Sequence, residues 1–243
     1  PKGGGKLVVM LSWQSKKIGY TGLLKSTLKL AKKAISNAGI KPDEIGLIVH
    51  GGVFREHFRT EPAFATHIQG DLGIQCHGIG IDSQSCFSFD VTDGSCSPHV
   101  AIQSIADLLP ALPTDYALLC IGDDRPTKHC DWEYESYCVV AVIGLSGDGP
   151  KCESISYDDS NLVPNLTTIG YFDKSVKGNN FASAGTVEFL EPKSSKNFFQ
   201  GHQNWLSGKH MHEFLQLVNK HDDTLEHCIV DRSGKSTTAK WVF

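Results

Sequence analysis

FSFDVTDGSCSPHVAIQSIADLL, residues 87–109, decides how the rest of the chain is read. A β-rich apolar run ends at Val91 in small polar residues, and a helical pattern begins almost at once. A strand-to-helix elbow of this kind holds a side chain out at the end of a sheet, next to helix N–H groups that lack intrahelical partners. Ser95 and Cys96 stand there side by side, and either could be the nucleophile. A thiol in that position gains from the helix dipole, which lowers its pKa. A serine gains less and needs a base. By local sequence alone, TDGS followed by Pro98 is also an ordinary helix start, with a polar cap and proline in the first turn.

Outward from the elbow, strands and helices alternate. KLVVML (6–11) reads as a first strand, and LLKSTLKLAKKAISNAG (23–39) repeats its apolar residues with helical period and ends on Gly39 as a cap. Pro42 and Asp43 mark a turn, and IGLIVHGG (45–52) is a strand without alternation, as in a sheet covered on both faces. Residues 61–72 read as a helix with Pro62 in its first turn, 98–109 as the helix after the elbow, and 116–122 and 137–145 as two more strands. Beyond 145 the chain turns polar and weakly periodic until about 190, followed by a helix at 210–220 and a strand at 227–231. The pattern predicts an α/β protein with a central, largely parallel sheet. It has an N-terminal half over 1–145 that holds the elbow and a shortened C-terminal half over 146–243.

With 243 residues the chain can bury a large core, and its net charge of −4 gives no footprint for nucleic acid. Lys25, Lys29, Lys32 and Lys33 cluster in the first helix as a solvated or acid-binding face. No apolar run approaches the roughly 20 residues of a membrane span, and the start lacks a signal-peptide pattern, so no membrane is expected. The missing initial Met suggests processing or an incomplete start. The eight cysteines include no CxxC pair, and several lie in apolar strand-like runs, which points to a reducing cytoplasm. The Asn165 sequon is read as chance.

Outside the elbow, His202 in NFFQGHQNW is a candidate base or oxyanion donor at a strand end. DRSGKSTTA (231–239) fails as a phosphate loop, because Ile229 stands where the leading glycine belongs. His210, His212, His202 and Cys228 show no zinc spacing, and no metal is expected.

Taken in order, AKKAISNAGIKPDEIGLIVHGG (31–52), EPAFATHIQGDLGI (61–74), the elbow segment and YALLCIGDD (116–124) resemble the thiolase superfamily, most closely the ketoacyl-acyl-carrier-protein synthase III type. GHQNWL (201–206) looks like that family's histidine motif and DRSGKSTTA like its asparagine loop. The resemblance implies two βαβαβ-type halves in an αβαβα layered fold, usually dimeric through the strand before the nucleophile. It implies acyl chemistry on thioesters of coenzyme A or acyl carrier protein, which serve as substrate carriers, with no bound cofactor. Counted from FDV (89–91), the cysteine position falls on Ser95, or on Cys96 with a one-residue bulge. The histidine position falls on His202 and the asparagine position on Lys235. Trp13 and Lys17 resemble the family's nucleotide-contacting Trp and Arg.

Two functions follow from the resemblance. One is an acyltransferase or condensing component of fatty-acid, polyketide or other specialised biosynthesis, working through Ser95 or Cys96 with His202. The other is a non-catalytic subunit that completes the dimer and acyl tunnel of a ketosynthase homologue. The retained His202 tilts the balance towards acyl chemistry, whereas Lys235 and the short second half favour the silent subunit. An α/β binding protein without acyl chemistry is the blandest alternative.

Overall fold

The computed structural model describes residues 8–19, 22–55, 62–74, 85–124, 134–162 and 190–243. Asn165, Cys76 and Cys130 lie outside them.

The described strands are β1 (Val8–Lys17), β2 (Ile45–Gly51), β3 (Phe87–Val91), β4 (Tyr116–Gly122), β5 (Tyr137–Gly144), β6 (Lys151–Asp158), β7 (Lys193–Ser195), β8 (Phe198–Gln200), β9 (Thr224–Val230) and β10 (Ser236–Val242). They form one sheet in the order β3-β2-β4-β5-β1-β6-β10-β9-β8-β7. The described α-helices are α1 (Leu23–Ala38), α2 (Phe64–Leu72), α3 (Ser97–Leu108) and α4 (Ser207–Val218).

The central strands are apolar without alternation because both faces of the sheet are covered. On β4, Ala117, Leu119 and Ile121 join one core, while Leu118 and Cys120 join the other. On β5, Val139, Ala141 and Ile143 face the first core, and Cys138, Val140 and Val142 face the second. Helices α3 and α4 complete the first core with Ile102, Ile105, Met211 and Phe214. Helices α1 and α2 complete the second with Leu30, Ala34, Phe64 and Ile68. Gly39 ends α1 as expected, at φ 70°, with its N–H donated to the Ser36 carbonyl.

The sheet is mixed rather than largely parallel. β2 runs parallel to β3 and β4, and β8 parallel to β9, but β5 is antiparallel to both β4 and β1. β10 repeats that arrangement, antiparallel to β9 and β6. The two sets join where β1 pairs antiparallel with β6 at Val8–Cys152 and Val9–Lys151. Two other expectations shift. Pro62 precedes α2, whose cap is Ala63, rather than lying in its first turn. Within the segment read as weakly periodic, β6 forms with its outward positions exposed, and Glu153 is ion-paired to Lys240 of β10. That face of the sheet meets solvent with polar side chains.

Two consecutive aspartates after β4 anchor the layers. Asp124 Oδ2 accepts the Leu23 N–H at the start of α1. Buried Asp123 accepts the N–H groups of Val53 and Phe54 through Oδ1 and that of Gly208 in α4 through Oδ2. Burial raises the Asp123 pKa to about 6, against the lowering effect of the Gly208, Val53 and Phe54 amides. At Gly208 a Cβ would lie 2.2 Å from the Tyr137 carbonyl oxygen. Alanine normally favours a helix over glycine by about 1 kcal/mol. Here overpacking against backbone wins, and Gly208→Ala is expected to cost about 1–3 kcal/mol in urea unfolding. A variant as stable as the parent would show that α4 does not approach β5 this closely.

Candidate functional site

Three loops converge on the elbow. The turn from β3 into α3 passes through Gly94 at φ 54°. It is closed by Ser97, whose hydroxyl donates to the Gly94 carbonyl (2.8 Å) and accepts the Asp93 N–H (2.8 Å). The loop before α4 reaches it through Ser207, whose hydroxyl donates to the same Gly94 carbonyl (3.0 Å), and through Trp205. The β9–β10 loop, 231–235, reaches it through Asp231 and Lys235. The segments picked out from sequence as elbow, histidine motif and asparagine loop therefore meet in space.

Their side chains are arranged differently from a nucleophile with its base. Ser95 is fully buried, its hydroxyl donates to the Trp205 carbonyl (2.8 Å), and its N–H donates to Asp231 Oδ2 (2.8 Å). The other Asp231 oxygen takes the Ser233 N–H (2.8 Å), and Gln203 Nε2 donates to the Asp231 carbonyl (3.0 Å). A carboxylate thus occupies the amide that an oxyanion would need.

Cys96 points inward, its sulfur 3.8 Å from the Ile229 carbonyl and 3.9 Å from that of Lys235. Burial pushes its thiol up to about 12. A helix N-terminus is worth about 0.3–2 kcal/mol to an anion. The rise from 9 to about 12 corresponds to about 4 kcal/mol against the thiolate, so burial wins. Cys86, Cys120, Cys138, Cys152 and Cys228 are buried thiols as well.

Lys235 binds the Asp93 carboxylate with Nζ 2.8 and 2.9 Å from its two oxygens. Partial burial lowers its pKa, but the Asp93 hydrogen bond and charge more than offset this, and the net direction is up. It serves here as a fixed cation beside the elbow.

His202 lines a pocket of about 190 Å³ with Tyr134, Glu135, Asn204, Trp205, Leu206 and Lys209. Its Nδ1 accepts the Asn204 N–H (2.9 Å), so Nε2 carries the proton, 3.6 Å from Glu191 Oε1. Glu135 is ion-paired to both Lys209 and Lys17, which brings Lys17 to the pocket's edge. Arg232 donates to the Tyr134 hydroxyl. Lys209 lies 5.0 Å from the centre of the Trp205 ring, and burial lowers its pKa. Trp13, four residues before Lys17 on β1, packs against the first core.

Sequence reasoning passed over Asp231, Trp205, Asp93, Glu135 and Lys209. Asp231 had a readable signal, since an Asx turn onto Ser233 is what an Asp two residues before a Ser-Gly pair favours. Trp205 acts through its carbonyl, which no side-chain motif reports.

Behind the elbow lies a buried histidine cluster. His99 of α3 pairs its Nε2 with His227 Nδ1 (3.1 Å) and its Nδ1 with the Thr237 hydroxyl (2.9 Å). His227 stacks on Phe214, and His210 of α4 sits nearby, its ring edge towards Trp205. Burial lowers all three, to about 3 for His99 and His210 and well below the usual value for His227.

This elbow, with its two flanking loops and 3-2-4-5-1 strand order, can be set beside known proteins. No protein-family model matches the chain. Over 161 residues it is 34% identical to β-ketoacyl-[acyl-carrier-protein] synthase III of Ehrlichia canis (strain Jake), covering 65% of this chain and 44% of that protein. The synthase III of Sphingopyxis alaskensis is 30% identical over 169 residues, covering 69% and 49%. Among solved structures, acetamide-bound Xanthomonas campestris OleA superposes with a TM-score of 0.68 at 13% identity, covering 98% of this chain and 99% of that one. FabH of Xanthomonas oryzae pv. oryzae gives 0.63 at 14%, covering 97% and 98%. The chain is ketoacyl synthase III-like, with the thiolase fold. It spans about half the length, or less, of the curated synthase III relatives it matches. Among the described residues, no helix of this synthase III-like chain is long and apolar enough to cross a membrane.

Proposed function

We propose that this chain is a non-catalytic, synthase III-like subunit of an acyl-thioester condensing assembly, pairing with a homologue that carries the working nucleophile. The observation that carries the reading is the Ser95 amide, which is donated to Asp231 rather than held open for an oxyanion. Supporting it, the Ser95 hydroxyl is buried on the Trp205 carbonyl, the Cys96 thiol is held at about 12, and Lys235 is held by Asp93. The partner surface would be the β3 edge, where Phe87 is 51% exposed and its ring lies tilted against Phe89, centroids 5.3 Å apart. An edge strand with exposed aromatic rings is a ready template for pairing. Acyl carrier protein or coenzyme A would deliver the acyl chain in the cytoplasm, as one OleA structure holds lauric acid and lauroyl-CoA.

One observation favours catalysis instead. His202 lines the pocket with Lys209, where an acyl group could be met. Incubating the purified chain with a panel of acyl-coenzyme A and acyl-carrier-protein thioesters and measuring intact mass separates the two. No added mass is expected, together with co-purification of a longer homologue on co-expression. An acyl adduct mapped to Ser95 and lost in Ser95→Ala would overturn the silent-subunit reading.

A further inference from the structure

We propose that the outer face of α1 docks an acidic helix of a protein partner. Helix α1 buries Leu23, Leu30, Ala31, Ala34 and Ile35 and leaves Lys25, Lys29, Lys32 and Lys33 exposed. At 3.6 residues per turn the four lysines fall within an arc of about 100°, in a stripe about 12 Å long. The 16 residues of α1 contain no Asp or Glu. Among the described residues none of the four lysines is in an ion pair.

These charges do not serve their own helix. Like charges four residues apart, Lys25 with Lys29 and Lys29 with Lys33, destabilise the helix that carries them. Lys25 lies in the first turn, at the positive end of the helix dipole, and the last turn, where a cation would help, has none. The chain as a whole carries −4, so this face stands against the overall balance.

An occupant must match a narrow row of cations repeating about every 6 Å. A second helix with carboxylates at every fourth residue has that repeat and can lie along the stripe. Nucleic acid and lipid fit less well. No aromatic residue occurs in α1 to stack on bases, and its outer face offers no large apolar side chain to enter a bilayer. The proposal stands apart from the state of the elbow and holds for either reading of Ser95.

The test uses the intact chain and two labelled synthetic peptides of one composition. One is a helix former with Glu at every fourth position, and the other has the same glutamates shuffled off a common face. Fluorescence anisotropy is read at 50 and 300 mM NaCl. The ordered peptide is expected to bind at least about tenfold more tightly than the shuffled one, and to weaken at high salt. K25E/K29E/K33E should abolish binding while circular dichroism stays unchanged, with K25Q/K29Q/K33Q as the neutral variant if charge reversal disturbs folding. Equal binding of the two peptides, binding that survives both triple variants, or no binding would overturn the proposal. So would tighter binding of duplex DNA or phosphatidylserine vesicles.

Discussion

Lowering the pH from 7.5 to 5 is expected to strip most of the stability from this chain. Four fully buried histidines drive the loss: His50, with a pKa of about 4, His99 and His210, at about 3, and His227, held well below its usual value. In each the first cause is burial, which disfavours the charged ring. The sign follows directly. Between the folded values and 6.5 the unfolded chain binds protons that the folded chain refuses, so stability is full above about 6.5 and falls with pH. Each histidine contributes about 1.4 kcal/mol per pH unit. At pH 5 four of them remove about 8 kcal/mol, comparable with the whole 5–15 kcal/mol of a typical domain.

Asp123 works in the opposite direction. Its folded pKa of about 6 lies above the usual carboxylate value, so it regains about 1–2 kcal/mol as pH falls from 6 to 5. The histidines still dominate. Urea midpoints at pH 7.5, 6.5, 5.5 and 5 should already reflect a loss of about 1–2 kcal/mol at the second, where the unfolded imidazoles are half protonated, and then drop steeply. His227→Phe, which keeps an aromatic ring against Phe214, should shed about a quarter of the slope while losing the bond to His99. A midpoint that does not move between pH 7.5 and 5 would mean that water reaches the cluster.

The same cluster shows where sequence reading stops. His99, His210 and His227 sit 111 and 17 residues apart along the chain. Only the packing of α3, α4 and β9 makes them neighbours, and no local pattern encodes that. The elements themselves were legible wherever local signals agreed. The period of α1 and its Gly39 cap, the unbroken apolar runs of β2, β4 and β5, and the β3-to-α3 elbow were all readable. β6 and β10 were missed because their outward positions are Ser, Thr, Lys and Glu, which dilute the apolar signal of a strand. The largely parallel sheet failed for a different reason. Strand direction depends on chain connection, and unbroken apolar runs report burial on two faces whichever way a neighbour runs. At the site, the three converging segments were readable as motifs. The hydrogen bonds that close the elbow were not, since they go from Ser95 to a backbone carbonyl and to an aspartate 136 residues away.

Replacing that aspartate should therefore have two separable effects. Asp231→Ala removes the acceptor of two amide N–H groups, Ser95 and Ser233, in a residue only 6% exposed. Hydrogen bonds to a charged acceptor are worth about 1.5–3 kcal/mol, and a buried donor left without a partner keeps its desolvation penalty. The expected loss is about 2–4 kcal/mol in urea unfolding. Asp231→Asn keeps one oxygen but turns an NH₂ towards the other amide, so it should lose less than alanine and more than nothing. Stability alone does not locate the effect, because any buried aspartate would register there. Hydrogen exchange does. The Ser95 amide should exchange at least tenfold faster in Asp231→Ala than the drop in global stability predicts, while amides on β4 and β5 follow the global value. If the Ser95 amide stays protected along with the core strands, Asp231 is not what holds the elbow shut.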